Sequence, residues 1–138
     1  METLTAMKLS KKTIEILKNF STINSNILVE PGNVIKTISP VKNVMAQATV
    51  SETFDTQFGI WDLNKFLGTI SLFEDPEFTF EENFVTVESK KNNSSVKYYY
   101  SEPSLLTTVN KTITMPEVVV ECVLTQSHFN DILKASSV

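Results

Sequence analysis

The chain has 138 residues, 41% of them hydrophobic and 20% charged, with a formal net charge of −4. That is enough for one domain with its own core and an ordinary globular composition, and no apolar run approaches the roughly 20 residues of a membrane span. A single cysteine, Cys122, and a single histidine, His128, exclude an internal disulfide and a cysteine-based metal site and leave little from which to build a catalytic dyad.

Residues 1–6 read as a disordered leader. They lack the charged, apolar and small-residue regions of a signal peptide, and Met7 is an equally good start. Ser10 is expected to cap a helix, with Leu9 before it and Ile14 at the fourth helical position as a hydrophobic staple. The helix should run from about Lys11 to about Asn19. Ile14, Leu17 and Phe20 point inward, and Lys11, Glu15 and Lys18 share the opposite face with Lys12 beside them. NILVE, PGN and VIKTI then suggest a hairpin. NVMAQATV alternates, with Val44, Ala46, Ala48 and Val50 on one side, and TFDTQFGI is another β-rich run.

DLNKFLGTISLF follows. Asp62 can cap it, and Leu63, Phe66, Leu67 and Ile70 fall at the spacing of a half-buried helix, leaving Lys65, Gly68 and Thr69 outside. FEDPEFTFEE places Glu74, Asp75, Glu77, Glu81 and Glu82 around a short strand, which reads as a solvated outer face rather than a cation site. NFVTVES, KKNNSS and VKYYY make a second hairpin, and SEPSLLTTVNKTITMP an extended connector. VVVECVL is expected as a strand with Val118, Val120, Cys122 and Leu124 on one face, placing Cys122 in a core. The last helix, in TQSHFNDILKASSV, carries Phe129, Ile132 and Leu133 on one face and Asn130, Asp131 and Lys134 on the other. LSKKTIEILK at residue 9 and LTQSHFNDILK at residue 124 echo each other, which suggests that a second copy of the first domain begins near residue 117 and is cut off.

The chemistry is sparse. There is no HExxH, no GxSxG and no phosphate-cradling loop among the three glycines, so no catalytic residue, metal ligand or cofactor is assigned and the chain is read as a non-enzyme. All twelve basic residues are lysine. Arginine grips guanine and carboxylate with two parallel bonds, whereas lysine is a flexible point charge. A lysine-only protein that meets DNA should do so through phosphates without reading sequence; biased base composition explains the absence of arginine equally well. On composition alone the helix lysines Lys11, Lys12, Lys18, Lys65 and Lys134 are solvated faces. The functional alternative is a positive surface facing a phosphate backbone on an otherwise acidic molecule.

MKLSKKTIEILKNFSTINSNI at 7–27 and IWDLNKFLGTISLF at 60–73 resemble, in order and spacing, two helices of the sliding clamp, or DNA polymerase processivity factor, of T-even-type bacteriophages. YYYSEPSLLTTVNKTITMP resembles the stretch leading out of that clamp's first domain. The resemblance implies an α+β DNA-clamp fold: one clamp domain over 7–116 with its connector, a sheet with two helices packed on one face, and a truncated second domain from 117 to 138. It also implies a subunit of a trimeric ring that encircles duplex DNA and tethers the polymerase in the cytoplasm of an infected bacterium. Helices would line the hole, with Lys11, Lys12, Lys18, Lys65 and, in the second domain, Lys134 facing DNA. DNA polymerase and clamp loader would dock outside, no membrane is involved, and this chain alone should not close the ring. The rival reading is a stand-alone α+β module that binds peptides, with Leu105, Leu106 and Val109 lining a groove.

Overall fold

Ser10 starts the first helix of the computed structural model, which describes residues 6–109 and 114–138. Its hydroxyl accepts the Thr13 N–H at 3.1 Å, satisfying one of the amides that a helix's first turn leaves without an internal partner. Helix α1 spans Lys11–Ile23, one turn beyond the expected end at Asn19. Phe20 is the reason: its ring is buried, and that burial carries the helix on until Asn24 turns extended. The Asn24 N–H still reaches the Phe20 carbonyl at 3.0 Å. Thr13, Leu17 and Phe20 form the buried stripe, with Ile14 packed at its edge.

Among the described residues seven strands follow, in the order β1 (Ile27–Val29), β2 (Gly32–Ile38), β3 (Met45–Phe54), β4 (Phe58–Ile60), β5 (Glu77–Phe80), β6 (Phe84–Ser89) and β7 (Ser94–Tyr99), with α2 (Leu63–Ser71) between β4 and β5. They pair antiparallel in three sheets, β1 with β4, β2 with β3, and β5-β6-β7. The expected hairpin between β1 and β2 is not formed. Pro31 has no N–H to offer a ladder, and Gly32, at φ +121°, sits at an irregularity in the register. The chain therefore leaves β1 and finds a new partner. β2 pairs with β3, Ile35 opposite Ala48, and β1 pairs with β4, Ile27 opposite Ile60. The β6–β7 hairpin forms as expected around Asn93, which takes a positive φ of 48°.

One core runs through these elements. Leu17 and Phe20 of α1 meet Ile35, Val50 and Phe54 of β2 and β3, Phe58 and Ile60 of β4, Leu63, Phe66, Leu67 and Ile70 of α2, and Phe78, Val85 and Val87 of β5 and β6. Each large side chain of this set contributes about 1.5–3 kcal/mol by leaving water. Met7 ties the N-terminal end to the core by exchanging two backbone hydrogen bonds with Phe78 at 2.7 and 2.8 Å.

Beyond the connector the expectation fails. Residues 114–125 hold no strand, and Val118, Val119, Val120 and Val123 are exposed. A strand needs a neighbour to take its N–H and C=O groups, and among the described residues none pairs with this segment. Cys122 is accordingly exposed and is not a core residue. Helix α3 (Gln126–Ser136) does form, capped by Thr125, whose hydroxyl accepts the His128 N–H at 3.1 Å. It buries no residue, and Phe129, Ile132 and Leu133 stay about half exposed. The expected leader lies outside the described residues except for Ala6, as does the connector from Asn110 to Ile113.

Candidate nucleic-acid interface

Two helices with one buried stripe each must present the opposite stripe outward. In α2, Asp62 accepts the Lys65 N–H at 3.0 Å and caps the helix, while Leu63, Phe66, Leu67 and Ile70 are buried. Phe66 meets the Tyr98 ring edge-on at 5.1 Å, and the Tyr98 hydroxyl donates to the Asp62 carbonyl at 3.3 Å. The Leu63 N–H donates to the Ser25 carbonyl at 2.7 Å, so the start of α2 is bonded to the segment that leaves α1. The two helices lie side by side.

Their outward stripes carry Lys11, Lys12, Lys18 and Lys65, all exposed. Within α1 only Glu15 opposes them in sign, and among the described residues none of the four forms an ion pair. Four lysines elsewhere are engaged: Lys8 with Asp75 at 2.8 Å, Lys91 with Glu74 at 3.1 Å, Lys90 with Glu77 at 3.8 Å, and Lys97 over the Phe84 ring at 4.7 Å; Lys36 and Lys42 form no ion pair among the described residues. The Asp75 carboxyl is held below its ordinary value by the hydrogen bond and charge of Lys8. The acidic run from Glu74 to Glu82 is thus partly neutralised by lysines of its own. Lys134 stands in the last turn of α3 and is exposed.

One charged residue under this surface escaped the sequence reading. Glu52 of β3 is only 8% exposed. Its carboxylate accepts the Ser10 N–H at 2.7 Å and the Thr13 hydroxyl at 2.5 Å. Burial pushes its pKa up, but the bonds from Thr13 and Ser10 outweigh burial and hold it below the ordinary glutamate value. The alternation of β3 does place position 52 inward with Val50 and Phe54; the signal was an acidic residue in phase with apolar ones.

At the connector, Leu105, Leu106 and Val109 part company. Leu105 is exposed and Leu106 is buried, while Val109 is half-buried. Leu106 packs against Gly59 and so does not line an open groove. Val109 borders a cavity of about 20 Å³ with Thr107, Thr37 and Ile27, room for one water and not for a peptide side chain. Thr107 is bonded to the domain through two buried asparagines: its N–H donates to the Asn26 side chain at 3.1 Å, and its carbonyl accepts from Asn24 at 3.4 Å.

Among the described residues no three His, Cys, Asp or Glu side chains are grouped to hold a metal ion, and no helix is long and apolar enough to cross a membrane. The family model described as DNA polymerase processivity factor matches residues 8–115. Curated relatives include the sliding clamp of Enterobacteria phage T4, 36% identical over 110 residues, which make up 80% of this chain and 48% of that one. The sliding clamp of Escherichia phage RB69 is 32% identical over 130 residues, 94% of this chain and 57% of that one. That of Vibrio phage KVP40 is 31% identical over 110 residues, 80% and 49% respectively. The chain spans about half the length of these relatives. With a match over most of its length, on an α+β domain whose two adjacent helices turn unpaired lysines outward, the chain belongs to the DNA polymerase processivity factor family.

Proposed function

We propose that the chain acts as the first half of a sliding-clamp subunit, in which α1 and α2 face the phosphate backbone of duplex DNA. The observation that carries this reading is the pairing pattern. Among the described residues the four lysines on the outward stripes of α1 and α2 have no carboxylate partner, while Lys8, Lys90 and Lys91 beside the acidic run do. Unpaired, exposed ammonium groups attract phosphates across water without a preferred register. That suits a ring that must slide, because bidentate base contacts would stall it. In the whole protein, a trimeric ring of two-domain subunits would enclose the duplex and tether the polymerase inside the infected bacterium. Enclosure then supplies persistence, so tight contacts are unnecessary. Lys134 on α3 would take the corresponding place in the second domain begun near residue 117; Ser10 and Thr125 cap their helices through the same bond. Polymerase and clamp loader would approach from outside, where Leu105 and Val109 remain accessible to them and Leu106 does not.

The test is a duplex titration followed by amide NMR shifts, which registers weak binding. The reading expects shifts on α1 and α2 that fade with added salt and are lost when Lys11, Lys12, Lys18 and Lys65 become alanine. Shifts confined to the β6–β7 hairpin, or unaffected by those substitutions, would overturn it.

A further inference from the structure

We infer that Glu52 is a positioning residue for the lysines at the start of α1, an inference that rests on the DNA-facing reading of that helix. Ser10 alone already caps α1 by accepting the Thr13 N–H. A second, buried anion is therefore not required to satisfy that turn. What Glu52 adds is a fixed link between the helix and another element. Its two oxygens are engaged separately, Oε1 by the Ser10 N–H and Oε2 by the Thr13 hydroxyl. The Ser10 hydroxyl in turn donates to Thr13 Oγ1 at 2.9 Å. The donors run in one direction, from Ser10 to Thr13 to the carboxylate, and Thr13 is 1% exposed. Two anchor points three residues apart fix both the height and the rotation of the first turn on β3. Lys11 and Lys12 lie between them in sequence, so the latch sets where two of the four ammonium groups stand. A buried carboxylate is costly unless every oxygen is bonded, and the positive end of α1 favours an anion there.

Glutamine in place of Glu52 keeps the shape and offers one acceptor instead of two, leaving a buried donor unmatched. In Glu52→Gln, the hydrogen-bonded Ser10, Thr13 and Ile14 amides should exchange hydrogen about tenfold faster, while Phe78, Val85 and Val87 stay protected as in the wild type. On duplex titration the Lys11 and Lys12 amides should lose shift amplitude and Lys65 should not. Thr13→Val, which removes the donor to Oε2 together with the acceptor of the Ser10 hydroxyl, should do the same and covers the case in which the first variant fails to fold. A uniform loss of protection across the core would make Glu52 a general stability residue and overturn the positioning role. So would unchanged exchange and unchanged Lys11 and Lys12 responses. If the wild type itself shows no duplex-dependent shifts on α1 and α2, the DNA reading falls, and the positioning role with it, whatever the exchange shows.

Discussion

Gly59 and Leu106 are in contact so close that a methyl group on Gly59 would lie 2.6 Å from Leu106 Cδ1 and 2.8 Å from the Ser101 carbonyl oxygen. The first neighbour is the end of a flexible side chain and can move; the second is backbone, held by the Ser101 N–H bond to the Gly59 carbonyl at 2.8 Å. Gly59→Ala should therefore destabilise the domain by about 1–3 kcal/mol, read as a lower urea midpoint. Leu106→Ala removes a buried side chain and should cost about 2 kcal/mol. In the double variant the loss should be less than additive, because one of the two clashes is gone. Strict additivity would show that the connector does not pack on β4 in solution.

The Glu52 carboxyl gives the domain a defined acid response. Its partners are Ser10 and Thr13, and hydrogen bonds rather than a neighbouring charge hold its pKa below the ordinary glutamate value against the opposing effect of burial. A carboxyl with a lowered folded-state value contributes its full stability above the unfolded value, and loses it as pH falls through the folded one. The difference in unfolding free energy between the wild type and Glu52→Gln should thus be constant near neutral pH and shrink as pH falls through and below the ordinary carboxylate range. Taking the difference removes the parallel response of Asp75, whose value is lowered by Lys8. A difference that grew on acidification would contradict the geometry.

Much of this architecture was legible wherever the signal is local. Ser10 and Asp62 announce their helices as caps, and the spacing of Leu63, Phe66, Leu67 and Ile70 marks the buried stripe of α2. The pairing of Ile27 with Ile60 was not legible, since it joins distant segments without a turn to mark it, and the nearer VIKTI competed for the same role. Leu105 and Leu106 are identical neighbours whose fates are separated only by Gly59. Cys122 was misplaced for a related reason. Alternation says which side chains share a face; it does not supply the strand that would cover it. Glu52 shows the converse: on an alternating strand a glutamate reads as solvent-facing until its phase with Val50 and Phe54 is weighed.

The lysine stripe predicts a specific salt response. Each lysine that neutralises a phosphate releases a counterion and contributes about 0.9 to the slope of log affinity against log salt. Replacing Lys11, Lys12, Lys18 or Lys65 singly by alanine should lower that slope by about this amount and weaken binding alike on duplexes of different sequence. Lys42, exposed in the β2–β3 turn and also unpaired among the described residues, is the control and should change nothing. Equal effects of Lys42 and the helix lysines would reduce the stripe to general surface charge.

Gly68 separates what the fold needs from what the interface needs. It lies within α2, on the exposed side, and a Cβ there would meet nothing within 4 Å. Glycine inside a helix costs roughly 0.5–1 kcal/mol relative to alanine, so the domain is less stable than it need be at this position. Gly68→Ala should raise the unfolding free energy by about that amount, visible as a higher thermal midpoint. If the smoothness of the helix surface is what glycine provides, a bulky neutral residue such as leucine at position 68 should keep much of the stability gain while weakening the duplex-dependent shifts of the neighbouring Lys65 and Thr69 amides. Alanine and leucine variants that both bind duplex as the wild type does would show that Gly68 has no part in the DNA-facing surface.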